Sequence, residues 1–152
     1  MAACTFTAAA KPAFASRPAR RSALRVQAAW TSTGVKDFEL GQAGGKKVVE
    51  VNGQRILLAA VDGSVKAVSN KCSHLGLPLV GKTPVFQAEV ANGCVTCPAH
   101  GTKFDLSTGQ PVGEWCPKMP NLPLVGKIGD TPKPLPTFEA RIAESGEIEV
   151  NA

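Results

Sequence analysis

With 152 residues, 43% of them hydrophobic, the chain is long enough for one domain with a modest core. Its net charge of +5 hints at an acidic partner only until the charges are placed: Lys11, Arg17, Arg20, Arg21 and Arg25 are five of the seventeen basic residues, and no acid precedes Asp37. Beyond them twelve basic residues face twelve acidic ones, so the body is neutral and carries no signal for nucleic acid or an anionic membrane.

Residues 1–28 read as an address rather than structure. They are rich in Ala with scattered Ser, Thr, Pro and Arg, hold no acid, and lack the continuous apolar stretch of a secretory signal, which fits an organellar transit peptide. Arg25-Val26-Gln27-Ala28 before Ala29 resembles the processing site of green-algal chloroplast transit peptides, so chloroplast import is expected; mitochondrial import and an ordinary disordered tail stay open. The longest apolar run, Ile56 to Val61, is far below the ~18 residues of a membrane span, and the processed protein is expected to be soluble. Five cysteines at irregular spacing without a secretory signal argue against a disulfide framework and for metal ligands or buried thiols.

From Trp30 onward short β-prone runs alternate with turn residues, and no amphipathic helix is expected. Lys47–Val51 meets Asn52-Gly53, followed by the apolar run from Arg55 to Val61; Asp62-Gly63 leads into Val65–Val68. Phe86–Ala91, Asn92-Gly93 and Cys94–Thr96 form a third such unit, and Phe138–Ala143, Ser145-Gly146 and Ile148–Val150 a last one. Asn-Gly and Asp-Gly between β-prone runs are the strongest short-range hairpin signals. Between Gln110 and Pro136 dense Pro and Gly predict an irregular region. The sum is a single all-β domain over 29–152, a sandwich or small barrel of short strands.

Two motifs carry chemistry: Cys72-Ser73-His74 and Cys97-Pro98-Ala99-His100. Each pairs a soft thiolate with an imidazole on a loop after a predicted strand. Two sulfur and two nitrogen donors suit an iron–sulfur centre or tetrahedral zinc. Cys94 precedes Cys97 as a C-x-x-C pair, but it lies on a strand and is expected to point away. Cys116 beside Trp115 is expected to be packed or idle, and Cys4 belongs to the leader.

The flanking residues separate iron from zinc. Cys72-Ser73-His74-Leu75-Gly76 and Cys97-Pro98-Ala99-His100-Gly101-Thr102-Lys103-Phe104-Asp105 resemble the two cluster-binding loops of the Rieske family, and Gly109 and Pro134-Leu135-Pro136-Thr137-Phe138 extend the likeness over roughly Lys36 to Val150. The resemblance implies an antiparallel β-sandwich with both loops at one end and one 2Fe–2S cluster per chain. Cys72 and Cys97 would hold one iron; His74 and His100 would hold the other, with imidazoles facing solvent as the electron port. A zinc site would use the same four residues but does not require the Gly-Thr-x-Phe-Asp pattern.

High-potential members of the family carry a further cysteine in each loop, joined as a bridge, and a Ser and a Tyr hydroxyl bonded to sulfur. Leu77 and Ala99 stand at the bridge positions here, Thr102 retains a supporting hydroxyl, and Phe104 takes the Tyr position in a chain without tyrosine. Fewer donors to sulfur mean a lower potential. The 22 residues from Leu75 to Thr96 make a long first loop, with the excess over Pro78–Gln87, either a partner contact or simple loop variation.

These features predict a soluble one-electron carrier, a Rieske-type ferredoxin of the chloroplast stroma with a reductase and an acceptor as partners. Two other readings stay open: a docking or assembly factor for a thylakoid photosystem, and an electron supplier to a separate oxygenase. The chain's only two histidines are spent on the cluster, leaving none for the two-His-carboxylate iron of a complete oxygenase.

Overall fold

A computed structural model describes residues 29–42, 45–119 and 131–152. The leader and the centre of the Pro-rich region, 120–130, lie outside the described residues. Among the described residues ten strands and one short helix follow in order: β1 (Trp30–Lys36), α1 (Asp37–Gln42), β2 (Lys46–Val51), β3 (Gln54–Val61), β4 (Ser64–Ser69), β5 (Glu89–Ala91), β6 (Cys94–Thr96), β7 (Lys103–Asp105), β8 (Pro111–Val112), β9 (Thr137–Ile142) and β10 (Glu147–Asn151).

The hairpin turns do what their dipeptides require. A two-residue type I′ turn needs positive φ at both central positions. Asn52-Gly53, Asp62-Gly63 and Asn92-Gly93 supply it, with φ of 50° and 76°, 49° and 75°, and 52° and 72°. They set the registers Val51↔Gln54, Val61↔Ser64 and Ala91↔Cys94. All strand pairs among the described residues are antiparallel, in a six-stranded sheet ordered β1-β10-β9-β4-β3-β2 and a four-stranded sheet ordered β5-β6-β7-β8. The all-β sandwich expected from the sequence is the fold observed.

β3 explains its own unbroken apolar run, because both of its faces are buried. Ile56 and Leu58 point into one core with Val49, Val51, Val65, Ile148 and Val150, inside the curl that brings β1 against β2. Leu57 and Ala59 point into the other, with Val68, Leu79, Val95, Phe104, Leu106 and Leu135, between the two sheets. A fully buried Leu or Ile contributes roughly 1.5–3 kcal/mol, so this strand anchors both layers. Cys72 and Cys97 belong to the second core, which sets the end of the sandwich where the chemistry sits.

Three local expectations change. Helix α1 exists: its six residues are too few to show a periodic pattern, but Leu40 is buried in the curl and Asp37 and Glu39 complement its N-terminal dipole. β8 is a two-residue edge strand inside the region expected to be irregular, paired to β7 on an edge where Pro111 needs no ladder donor. β5 starts at Glu89 rather than Phe86, because the preceding residues serve the first-loop extension instead. There Val80 bridges Gln87, Gly81 N–H donates to Phe86 C=O at 2.7 Å, and Ala88 N–H donates to Leu79 C=O at 3.0 Å. The buried Asn70 side chain clamps Val80 from both sides, donating to its carbonyl (2.8 Å) and accepting from its amide (2.9 Å). The extension is thus a folded-back turn with a fixed base, and Val85 at its tip is 74% exposed.

Candidate metal centre

The two motif loops are built on one backbone plan. In the first, after β4, Cys72 N–H donates to Leu77 C=O (2.8 Å) and Gly76 N–H returns to Cys72 C=O (2.9 Å). In the second, directly after β6, Cys97 N–H donates to Thr102 C=O (2.9 Å) and Gly101 N–H returns to Cys97 C=O (2.9 Å). Both glycines, four residues past their cysteines, turn the chain with positive φ, 71° at Gly76 and 80° at Gly101. Satisfying the backbone internally leaves the thiols and imidazoles to face one another across the gap. Ser73 Oγ donating to Lys133 C=O (2.8 Å) ties the first loop to the chain entering β9.

Three of the four donors expected from the sequence come together in one group. Those of Cys72, Cys97 and His100 lie within 4.8 Å of one another, all three residues buried. His100 Nε2 is 2.9 Å from Cys72 Sγ, and the His74 and His100 rings stand edge to face with centroids 4.8 Å apart. Cys94 joins neither group of donors among the described residues, in keeping with its strand position.

The protonation states fit a cluster. Cys72 donates a hydrogen bond to the Cys97 sulfur, which with burial raises the Cys72 thiol and brings Cys97 down to about 6. The hydrogen bond between the two sulfurs thus favours loss of a proton from one of them, and a bound cluster would take both as thiolates. His100 falls from its ordinary 6.5 to about 4, mainly because burial penalises its charged form and secondarily because His74 repels it. A neutral imidazole is the ligating form.

That shift makes a prediction for the metal-free protein. Unfolded His100 takes a proton near 6.5 and folded His100 only near 4, so between those values the unfolded state holds the extra proton. The contribution is complete above pH 6.5 and lost as pH falls toward 4, about 3 kcal/mol in all. Urea unfolding of metal-free protein across this window should show that slope, and His100→Gln should flatten it.

A third loop, 113–119, enters the site. Trp115, half-buried, places its ring 5.5 Å from His74, 6.1 Å from His100 and 6.1 Å from Phe104. Lys118 N–H donates to His100 C=O (3.1 Å), and a Cβ on Gly101 would meet Pro117 Cγ at 3.0 Å. This loop covers His100, which is 1% exposed, whereas His74 stays partly open. The expectation that both imidazoles face solvent is corrected: a segment too irregular to place from sequence lies over one of them.

The same loop shows which half of the expectation for Cys116 holds: it is packed, and it is packed against the site. Cys116 is buried, with Sγ 3.5 Å from His74 Nδ1, and the donor atoms of His74, His100 and Cys116 also lie within 4.8 Å of one another. Its N–H donates to Thr102 Oγ1 (2.8 Å), which lies 2.9 Å from His100 Nδ1 and 3.7 Å from Cys116 Sγ. The supporting hydroxyl of Thr102 is thus directed to His100 and Cys116, not to Cys72 or Cys97. Only the Trp-Cys-Pro sequence hints at this, and 42 residues separate Cys116 from His74.

Comparisons with known proteins agree with this geometry. The family model described as "Rieske [2Fe-2S] domain" matches residues 32–138. Apoptosis-inducing factor 3 of Mus musculus and of Homo sapiens is 39% identical over 75 residues, 49% of this chain and 11% of theirs. The chain thus matches about a tenth of those relatives' length. Among solved structures, the ferredoxin of carbazole 1,9a-dioxygenase from Nocardioides aromaticivorans IC177 superposes with a TM-score of 0.56 at 21% identity, covering 80% of this chain and 95% of that one. A complex of reduced oxygenase and oxidized ferredoxin in carbazole 1,9a-dioxygenase matches with a TM-score of 0.59 at 22% identity, covering 80% of this chain and 92% of that one. At such identities these two speak for the fold. The family match over most of the chain and thiol and imidazole donors gathered at one end of an antiparallel sandwich lead to one conclusion: the chain belongs to the Rieske [2Fe-2S] family and binds a 2Fe–2S cluster.

Proposed function

We propose that the protein is a one-electron carrier of the chloroplast, in which Cys72 and Cys97 hold one iron of the cluster and His74 and His100 the other. The observation that carries this reading is a pair of matched loops that bring the donors of Cys72, Cys97 and His100 within 4.8 Å of one another and set the His74 ring 4.8 Å from that of His100, with His74 left partly open. The bound cluster supplies the electron chemistry. The chain supplies thiolate and neutral imidazole at the right atoms, a dry interior at Cys72 and Cys97, and an open side at His74.

A low potential, for this family, follows from the surroundings. Leu77 and Ala99 form no bridge, Phe104 is buried with no hydroxyl to offer, and Thr102 turns its hydroxyl toward His100 and Cys116. The potential should fall in the lower part of the Rieske range of about −150 to +300 mV. Protein-film voltammetry checks it, and a value near the upper end would sink the hydroxyl argument.

Residues 29–152, expressed as the mature domain, should give a red-brown protein with the rhombic EPR signal of a His-ligated cluster after dithionite reduction. A colourless, EPR-silent protein with stoichiometric zinc would overturn the assignment. Residues 1–28 are proposed as the transit peptide on their acid-free, Arg- and Ala-rich composition. Fused to a fluorescent protein they should direct it to chloroplasts, and mitochondrial or cytosolic signal would refute this. A redox partner of the oxygenase kind finds support in the similar structure, a complex of oxygenase and ferredoxin. A second reading, docking to a photosystem, draws on the clamped first-loop turn and its exposed Val85. No helix among the described residues is long and apolar enough to cross a membrane. Pull-downs from stroma and thylakoids, with the 82–86 tip replaced by Gly-Ser, separate the two.

A further inference from the structure

Among the described residues two trios of donors share this end of the sandwich, and the proposed ligand set uses only part of the second. Cys72, Cys97 and His100 form the first; His74, His100 and Cys116 form the other, each within 4.8 Å. The thiol of Cys116 is excluded from solvent and faces the imidazole of the most exposed proposed ligand, 3.5 Å from Nδ1 of His74. Its backbone is held by the bond to Thr102 and by the contact of the third loop with Gly101. A thiolate is a softer iron ligand than imidazole.

We propose that Cys116 is a reserve ligand of the cluster, able to replace His74 and convert the two-Cys, two-His form into a three-Cys, one-His form. This rests on the ligand set given under Proposed function. In the exchange the Cys116 S–H bond breaks and its sulfur bonds the iron; the nitrogen–iron bond of His74 breaks and that imidazole takes the thiol proton. The resulting imidazolium sits on the partly open side and can pass its proton to water. No electron is transferred and no outside reagent is consumed. The second form carries one more negative ligand, so its potential is lower and one of its two titrating imidazoles is gone. Loss or occlusion of His74 would then retune the carrier rather than strip it of iron.

The test compares the full chain, His74→Ala, and His74→Ala with Cys116→Ser. Iron and sulfide content is measured with pulsed EPR that counts nitrogens coordinated to the reduced cluster. The native chain should show two nitrogens; a native cluster without them would sink the parent ligand set. His74→Ala should keep near-native iron with one coordinated nitrogen, and the double variant should lose roughly tenfold. Empty His74→Ala protein that is folded by circular dichroism, or a double variant as full as the single, overturns the reserve role and leaves the parent assignment standing. Should His74→Ala not fold, diethyl pyrocarbonate is applied to loaded native and Cys116→Ser proteins, each against its own starting iron. The native chain should keep its cluster with one nitrogen while the variant bleaches, and equal behaviour of the two refutes the proposal.

Discussion

Replacing Gly109 by Ala is expected to cost the protein its fold, lowering stability by about 4 kcal/mol or more against the 5–15 kcal/mol typical of a domain. A Cβ built there would lie 2.0 Å from the carbonyl oxygen of Leu135 and 3.0 Å from Thr137 Cγ2. Neither side can yield cheaply. Gly109 is held by its N–H to Asp105 C=O (2.8 Å), in a turn that Asp105 Oδ1 braces by accepting from Ser107 and Thr108 N–H at 2.8 Å each. These bonds also hold the exposed Asp105 carboxyl below its ordinary value. On the other side Leu135 N–H donates to Gly109 C=O (2.7 Å) while its side chain is buried in the core behind the cysteines. Separating the two segments would expose Leu135, a loss of about 2–5 kcal/mol by comparison with large-to-small core changes, and the φ of +73° adds about 1 kcal/mol for a residue with a Cβ. Thermal unfolding should show a fall of roughly 15 °C or insoluble protein. Gly53→Ala is the control, with φ +76° but nothing within 4 Å of the added methyl. It should lose only about 1 kcal/mol. Equal losses at the two sites would mean that conformation, and not the close approach to Leu135, governs Gly109.

Cys97→Ser should abolish cluster binding outright. Cys97 is buried, and the hydrogen bond from Cys72 lowers its thiol from the ordinary value, toward the ligating form. Serine keeps the size but ionises far outside the working range and is a hard donor. Iron content and the visible band should fall more than tenfold, and the melting temperature should drop to that of metal-free native protein, because a ligand bound only by the folded state stabilises it by mass action. A melting temperature well below the metal-free value would point to packing damage instead. His100→Cys is the contrasting case: any cluster it retains should have a lower potential and a weaker pH dependence, since one titrating imidazole has become a thiolate.

Much of the fold and the site is legible in the amino-acid order alone. Asn-Gly and Asp-Gly turns locate three hairpins, because few residues tolerate two consecutive positive φ angles and the strands on either side follow from them. The apolar run at 56–61 marks a strand, while the burial of Ile56 to Ala59 on both faces is decided by the fold. Four ligand-type side chains in two short motifs mark a metal centre, and the flanking Gly-Thr-x-Phe-Asp pattern, by its resemblance to the Rieske family, favours an iron–sulfur cluster over zinc. Helix α1 is too short for a period to emerge, and β5 loses its first residues to a turn stapled by Asn70, a contact ten positions away.

At the metal centre, chain-local chemistry nominates the proposed donors, Cys72, His74, Cys97 and His100, on two loops of an all-β domain. Their surroundings come from folding in three dimensions. Residues 113–119 fold over His100 and leave His74 partly open, and they bring Cys116 against the His74 imidazole. The difference lies in the range of the interactions. Turn conformation and ligand identity are set within five residues by φ preference and donor chemistry. The cover over the site depends instead on contacts across 14 to 42 positions, in a Pro- and Gly-rich stretch with no periodicity to reveal which face it buries.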